Sequence, residues 1–252
     1  MNVWRSLDGW LDRRQALGNS RTGLVPTMGA LHAGHASLVE RCRRENEIVV
    51  VTIFVNPSQF NDPRDLERYP RTVEEDLLLL KEMGADEVIL PGDRDLYPDG
   101  YCFRIENDES ARLMEGARRP GHLQGVMTVV LKLLNIARAD RAYFGEKDFQ
   151  QLRLVTEMAR DFFVPTRIVG CPTVREASGL AMSSRNALLS PDARQKAAEL
   201  YRILRGAPST EQARVSLESA GFKVDYVEEH WGRRLAAVYL DGVRLIDNLP
   251  CS

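Results

Sequence analysis

No stretch of this chain approaches the ~20 consecutive apolar residues that a helix needs to cross a bilayer. The opening Met1-Asn2-Val3-Trp4-Arg5-Ser6 also lacks the charged-then-apolar order of a secretion signal. Neither a membrane protein nor an exported one is expected. Cysteine is scarce, and Cys42, Cys102, Cys171 and Cys251 lie far apart with no C-x-x-C pair, so spacing suggests neither a structural zinc site nor a redox dithiol. A reducing, cytoplasmic setting is the expectation. Excess charge is lacking too: 34 Lys+Arg against 36 Asp+Glu leave a net charge of −2, which gives no electrostatic case for wrapping nucleic acid. No internal repeat or low-complexity tract interrupts the chain.

What is present is alternation. Strand-like Thr22 to Thr27 precedes helical spacing from His35 to Asn46, and the β-branched run Ile48 to Val55 reads as a fully buried strand. A helix near Val73 to Gly84 leads to Glu87 to Leu90, and another near Val126 to Ala139 leads to Ala142 to Phe144. The amphipathic run Phe149 to Phe162 then leads to Arg167 to Val169. Such order predicts an α/β, Rossmann-like parallel sheet with helices on both faces. After Cys171-Pro172 the pattern changes to a helix near Pro191 to Arg205, a second near Thr210 to Ala220, and strand-like pieces at Lys223 to Val227, Leu235 to Leu240 and Val243 to Ile246. Asp241-Gly242 is a hairpin signal. The expected division is residues 1–172, then a small α+β domain of residues 173–252.

Ligands of doubly wound sheets bind beyond the carboxyl ends of the strands. One such end carries Pro26-Thr27-Met28-Gly29-Ala30-Leu31-His32-Ala33-Gly34-His35, an H-x-G-H pair at a helix N-terminus. A histidine met singly reads as structural. Here free backbone N–H groups and the helix dipole favour an anion, and Gly29 and Gly34 allow close backbone approach. The spacing resembles the ATP signature of the nucleotidylyl-transferase superfamily.

Two further loops sit at strand ends, Asn56-Pro57-Ser58-Gln59-Phe60 and Gly145-Glu146-Lys147-Asp148, so three loops are expected to meet in one crevice. Lys147 reads either as a solvated lysine beside an acidic cap or as a phosphate contact, with Asp148 on a ribose or a metal-bound water. Gln151, four residues on, would share its helix face. Met182-Ser183-Ser184-Arg185 reads as a turn, or in an ATP enzyme as a loop that hydrogen-bonds and neutralises phosphates. Asn56, Gln59 and Tyr69 offer neutral groups suited to a hydroxylated small molecule, and Arg119-Pro120-Gly121-His122 offers a carboxylate clamp. Glu74-Glu75-Asp76 reads as first-turn dipole partners rather than a metal cluster.

Taken together, Val25 to His35, Ile53 to Phe60 with Tyr69-Pro70-Arg71-Thr72, Arg119 to Leu134, Phe144 to Leu152 and Pro172 to Asn186 resemble the pantothenate synthetase family, with a weaker echo at Arg244-Leu245-Ile246-Asp247-Asn248. F-V-N-P-x-Q-F, G-E-K-D-x-Q-Q and M-S-S-R-N in this order are specific to it. The resemblance implies an ATP-dependent ligase that converts pantoate to pantoyl adenylate, releasing pyrophosphate, and passes the acyl group to β-alanine, releasing AMP. It also implies Mg²⁺ with ATP, a homodimer, and a lid role for the second domain. By position, Met28, Gly29, Ala30, Leu31, His32, Ala33, Gly34, His35, Gly145, Glu146, Lys147, Asp148, Val174, Met182, Ser183, Ser184 and Arg185 take the ATP contacts. Gln59 and Gln151 take pantoate, and Asn56, Tyr69 and Arg119 fall where the second substrate is expected. His35 matches the family's proton donor, and His32, His35, Lys147 and Arg185 form the expected catalytic set, with no protein metal site. The base that deprotonates β-alanine is not assigned.

Ala33 replaces the family's usual Glu, and Ser178 its usual Asp. The segments 205–224 and 228–235 read as shorter than the family pattern. Three rival readings differ in class. A nucleotidyltransferase that keeps AMP or CMP on a phosphate-bearing acceptor would call for more cations where Asn56, Gln59 and Gln151 stand. A tRNA synthetase fragment is disfavoured by the charge balance, and a non-catalytic nucleotide binder by retention of both histidines, Lys147 and Arg185.

Overall fold

The computed structural model describes residues 1–251, which form two compact units. The first comprises Met1–Leu31, His35–Gly145 and Gln150–Cys171, and the second His32–Gly34, Glu146–Phe149 and Pro172–Ser252.

Six strands build the first unit: β1 (Asn2–Trp4), β2 (Thr22–Thr27), β3 (Ile48–Ile53), β4 (Glu87–Ile89), β5 (Arg141–Gly145) and β6 (Arg167–Cys171). All pair in parallel in the order β1-β4-β3-β2-β5-β6. β2 and β3 are buried along nearly their whole length, which is why their sequences run apolar and β-branched without alternating. From β2 the chain winds one way to β3 and β4 and the other way to β5 and β6, so the switch point lies between β2 and β5, joined at Gly23↔Arg141 and Leu24↔Ala142. Both carboxyl ends there carry motif residues, Met28 to Leu31 after β2 and Gly145 closing β5.

Two N-terminal elements had no sequence signal. β1 is three residues long, and the helix Leu7–Ala16 buries only Trp10 completely. Glu87, buried in β4, ties both down: it accepts from Trp4 Nε1 (2.8 Å), Asn2 Nδ2 (3.1 Å) and Arg13 Nε (2.7 Å). The helix expected from Val126 begins at His122 and runs to Ala137.

In the second unit, the helix expected over 191–205 is two, Pro191–Ala197 and Glu199–Gly206, followed by Thr210–Ser219. They pack on an antiparallel sheet of β7 (Lys223–His230), β8 (Arg233–Leu240) and β9 (Val243–Pro250), around Leu200, Leu204, Leu217, Val238 and Leu245. Asp241 and Gly242 both take left-handed backbone angles (φ 53° and 75°), the geometry of a two-residue hairpin turn. Trp231-Gly232 makes the same turn between β7 and β8. Among the described residues no helix is long and apolar enough to cross a membrane.

Candidate active site

The turn after β2 is shaped by a carboxylate. Asp76, 3% exposed in the first turn of the helix Val73–Glu82, accepts from the backbone N–H of Ala30 (2.9 Å) and Leu31 (2.8 Å) and from the Thr72 hydroxyl (3.2 Å). Those bonds hold Gly29 and Ala30 in the left-handed region, φ 81° and 50°. Asp76 thus lies in the first turn of its helix, as expected, and in addition commits the Ala30 and Leu31 amides.

His32 and Gly34 group with the second unit, whereas His35 groups with the first. The Gly34 N–H donates to His32 Nδ1 at 3.1 Å, so the neutral ring carries its proton on Nε2. Burial, followed by the Lys147 charge, lowers the His32 pKa below its ordinary 6.5, with Asp148 opposing. The His32 ring is therefore held neutral near pH 7. A Cβ on Gly34 would lie 2.8 Å from the His32 ring, so only glycine leaves that ring in place. Lys147 lies in the single 3-10 turn Glu146–Asp148, its Nζ 3.7 Å from Asp148 Oδ2. The α-helix starts only at Phe149, so the shared helical face expected for Lys147 and Gln151 is not formed.

In the first unit the turn after β3 is knit from within. Asn56, 1% exposed, donates from Nδ2 to Gln59 Oε1 (3.0 Å) and to the Gly125 carbonyl (3.2 Å), while its Oδ1 accepts from Tyr97 Oη (2.7 Å) and Ser58 Oγ (2.9 Å). Its polar capacity is spent on orienting Gln59, whose Nε2 lies 3.0 Å from Met28 Sδ. A Cβ on Gly125 would sit 2.4 Å from the Ser58 carbonyl, which accounts for a glycine inside a buried helix. Burial pushes the Tyr97 phenol up to about 12, keeping it a neutral donor.

Gln150 and Gln151 are adjacent and differ completely. Gln150 is buried and bonded to Glu115 N, Leu113 O and Ser110 O. Gln151 is half-buried, and its side chain has no hydrogen-bond partner among the described residues. Arg119 meets Glu115 (3.5 Å), Asn61 (3.3 Å) and His122 Nε2 (3.0 Å). His122 Nδ1 faces the Gln59 carbonyl at 2.8 Å. A carbonyl only accepts and a guanidinium only donates, so His122 is neutral with its proton on Nδ1. Tyr69 is buried, edge-on to Phe60 at 5.6 Å. The site-shaping contacts of Asp76, Tyr97 and His122 were missed because the partners concerned, Ala30, Asn56 and the Gln59 carbonyl, lie 46, 41 and 63 positions away.

In the second unit, residues 174–182 form a small hairpin, with Met182 N donating to the Val174 carbonyl (3.0 Å) and Arg175 bridged to Ala181. Ser183 Oγ caps the turn that begins at Ser184 by accepting from Arg185 N (3.2 Å). Buried Asn186 anchors the run to Glu176 (3.0 Å) and the Ala181 carbonyl (3.1 Å). Among the described residues, no three His, Cys, Asp or Glu side chains assemble as a metal cage.

A doubly wound sheet whose strands β2 and β5 run on in sequence into the H-x-G-H and G-E-K-D motifs is the arrangement that the resemblance to ATP-using nucleotidylyl transferases implies. The family profile described as pantoate-beta-alanine ligase matches residues 2–250. Pantothenate synthetases of Bdellovibrio bacteriovorus and Legionella pneumophila (strain Lens) are 48% and 47% identical. The first alignment covers 90% of each chain, and the second 98% of this chain and 99% of the relative. A Francisella tularensis pantoate-beta-alanine ligase crystallised with βγ-ATP and β-alanine superposes with TM-score 0.94 at 41% identity, covering 99% of this chain and 97% of that one. Pantothenate synthetase of Thermus thermophilus gives 0.91 at 43%, covering 99% of both. The chain belongs to the pantoate–β-alanine ligase family and is an ATP-dependent enzyme of pantothenate biosynthesis. Near-complete coverage means that its compact C-terminal region does not make it shorter than these relatives.

Proposed function

We propose that the chain joins pantoate to β-alanine in two steps through a pantoyl adenylate. In the first, a carboxylate oxygen of pantoate bonds to the α-phosphorus of ATP while the bond to pyrophosphate breaks. In the second, the β-alanine amine loses a proton and attacks the acyl carbon, and AMP leaves with the oxygen that pantoate supplied. A carboxylate is already a nucleophile, so the first step needs alignment and charge stabilisation more than a strong base.

The observation that supports this reading most is the pairing of β2 with β5, whose ends run into the H-x-G-H and G-E-K-D turns. His32 donates from Nε2, Lys147 and Arg185 bring positive charge to the phosphates, and His35 is the family's proton donor. Met28 to Gly34, Gly145, Glu146, Asp148, Val174, Met182, Ser183 and Ser184 complete the ATP contacts. Gln59 and Gln151 hold pantoate, with Pro26, Met28 and Phe54 against its dimethyl group. Tyr69 and Arg119 serve β-alanine, and Asn56 acts by orienting Gln59.

Mg²⁺ fits this donor set as a companion of ATP, since it favours phosphate oxygens and water over an all-protein cage, and Asp148 is the carboxylate suited to one of its waters. Bound there, it would screen the charge on the phosphates. The same reading makes the enzyme a cytoplasmic homodimer, checked by sedimentation, with an ATP- and pantoate-binding domain of residues 1–172 and a lid of residues 173–252. Pantoate alone is expected to support ATP–pyrophosphate exchange, while net AMP release at full rate needs β-alanine. Exchange that depends absolutely on β-alanine would overturn the two-step route.

A further inference from the structure

Near the end of β9 stand two polar residues that are almost fully buried, Asp247 at 3% and Asn248 at 2% exposed. Neighbours along a strand project to opposite faces of the sheet. Asp247, opposite Ala236, takes both terminal nitrogens of Arg175 at 2.7 and 2.8 Å, and that guanidinium stacks 3.8 Å from the Tyr201 ring centroid. This steadies the hairpin that begins at Val174.

Asn248, opposite Leu235, serves the other face. Its Nδ2 donates to two successive backbone carbonyls, Glu146 (2.9 Å) and Lys147 (2.9 Å), and its Oδ1 accepts from Arg233 Nε (2.6 Å). Arg233 also meets the Glu146 carboxylate (3.3 Å) and covers the Phe149 ring at 4.5 Å.

One amide group that binds the carbonyls on both sides of the Lys147 Cα fixes the direction in which the lysine side chain leaves the backbone. The 3-10 turn leads directly into the helix Phe149–Asp161, and because hydrogen-bond geometry in such a turn is poorer than in the helix it opens, the two bonds from Asn248 add to its definition. We propose that Asn248 is a positioning residue for the adenylation step, holding Lys147 aimed at the phosphates from 101 residues away in sequence, with Arg233 locking its amide. This rests on the reading of Lys147 as a phosphate-side cation. An amide is required, because a carboxylate in its place would face two carbonyl oxygens without a proton to give.

The test is a kinetic cycle in the full-length protein, measuring pantoate-dependent ATP–pyrophosphate exchange for N248A, K147A and the double variant. Small misplacements of a catalytic group typically cost up to ~10²-fold, so N248A is expected to lower kcat about 10- to 10²-fold with the KM for pantoate unchanged. The N248A/K147A protein should be no slower than K147A alone, since residues that act as a unit are not additive. Losses that multiply in the double variant, or a normal kcat in N248A, overturn the proposal. A normal rate in K147A alone overturns the prior reading of Lys147 and is seen separately. Should N248A fail to fold, R233K is substituted in the same cycle. It leaves Asn248 in place, and a kcat loss that disappears in the K147A background supports the same conclusion.

Discussion

Asp76→Asn removes one carboxylate oxygen from a site where both are used. The native side chain accepts from Leu31 N at 2.8 Å, Ala30 N at 2.9 Å and Thr72 Oγ1 at 3.2 Å. An asparagine keeps one acceptor and turns its NH₂ toward a backbone N–H. Losing one charge-assisted bond costs about 1.5–3 kcal/mol, and a stranded buried N–H adds about 1–3. These overlap, so a net loss of about 2–4 kcal/mol is expected. The turn should also relax, because a non-glycine residue in the left-handed region, here Ala30, is costly and persists only when its surroundings hold it. Relaxation would shift the adjoining His32, and a displacement of about 1 Å at a reacting group lowers rates by about 10²-fold. Urea unfolding gives the first quantity and pantoate-dependent pyrophosphate exchange the second. Ala30→Gly in the Asp76→Asn background should recover part of the stability and little of the rate. Wild-type stability and exchange in Asp76→Asn would refute the assignment of the turn's geometry to this carboxylate.

Two other outcomes follow from the same geometry. Because the folded-state pKa of His32 lies below 6.5, the unfolded chain binds its proton first as pH falls. The neutral residue therefore costs nothing well above pH 6.5, and stability drops as pH falls from 6.5 through the folded value. In His32→Gln this part of the acid loss should disappear, and an identical pH dependence of the urea midpoint in both proteins would contradict the neutral assignment. Gln151→Ala should leave the melting temperature unchanged, since Gln151 has no intramolecular partner to lose among the described residues. It should also erase most of the preference for pantoate over an analogue lacking its hydroxyl, measured as the ratio of exchange efficiencies, because an amide left unpaired is what rejects such analogues. An unchanged ratio would move pantoate recognition elsewhere.

The parallel sheet was legible because Ile48–Ile53 and its neighbours are buried on both sides and carry unbroken apolar runs, and Asp241-Gly242 announced its hairpin by chemistry alone. The H-x-G-H and G-E-K-D turns were legible because each falls where such a run ends. What stayed hidden depends on partners remote in sequence. Asp76 reaches back 46 positions to Ala30, His122 reaches 63 to the Gln59 carbonyl, and Asn248 reaches 101 to Lys147. None of these leaves a periodic trace. Nor does anything local separate Gln150, bound to the 110–115 segment, from Gln151, whose side chain has no partner among the described residues. The N-terminal strand was missed for a different reason, since three residues are too few to show an alternation.

The central claim is the adenylate, and the fate of one oxygen atom tests it most directly. Pantoate labelled with ¹⁸O in its carboxylate is turned over with ATP and β-alanine, and the products are separated for mass spectrometry. If the carboxylate attacks the α-phosphorus and the acyl–oxygen bond then breaks, AMP carries one labelled oxygen and pyrophosphate carries none. Unlabelled AMP, or label in pyrophosphate or inorganic phosphate, would contradict the pantoyl adenylate route.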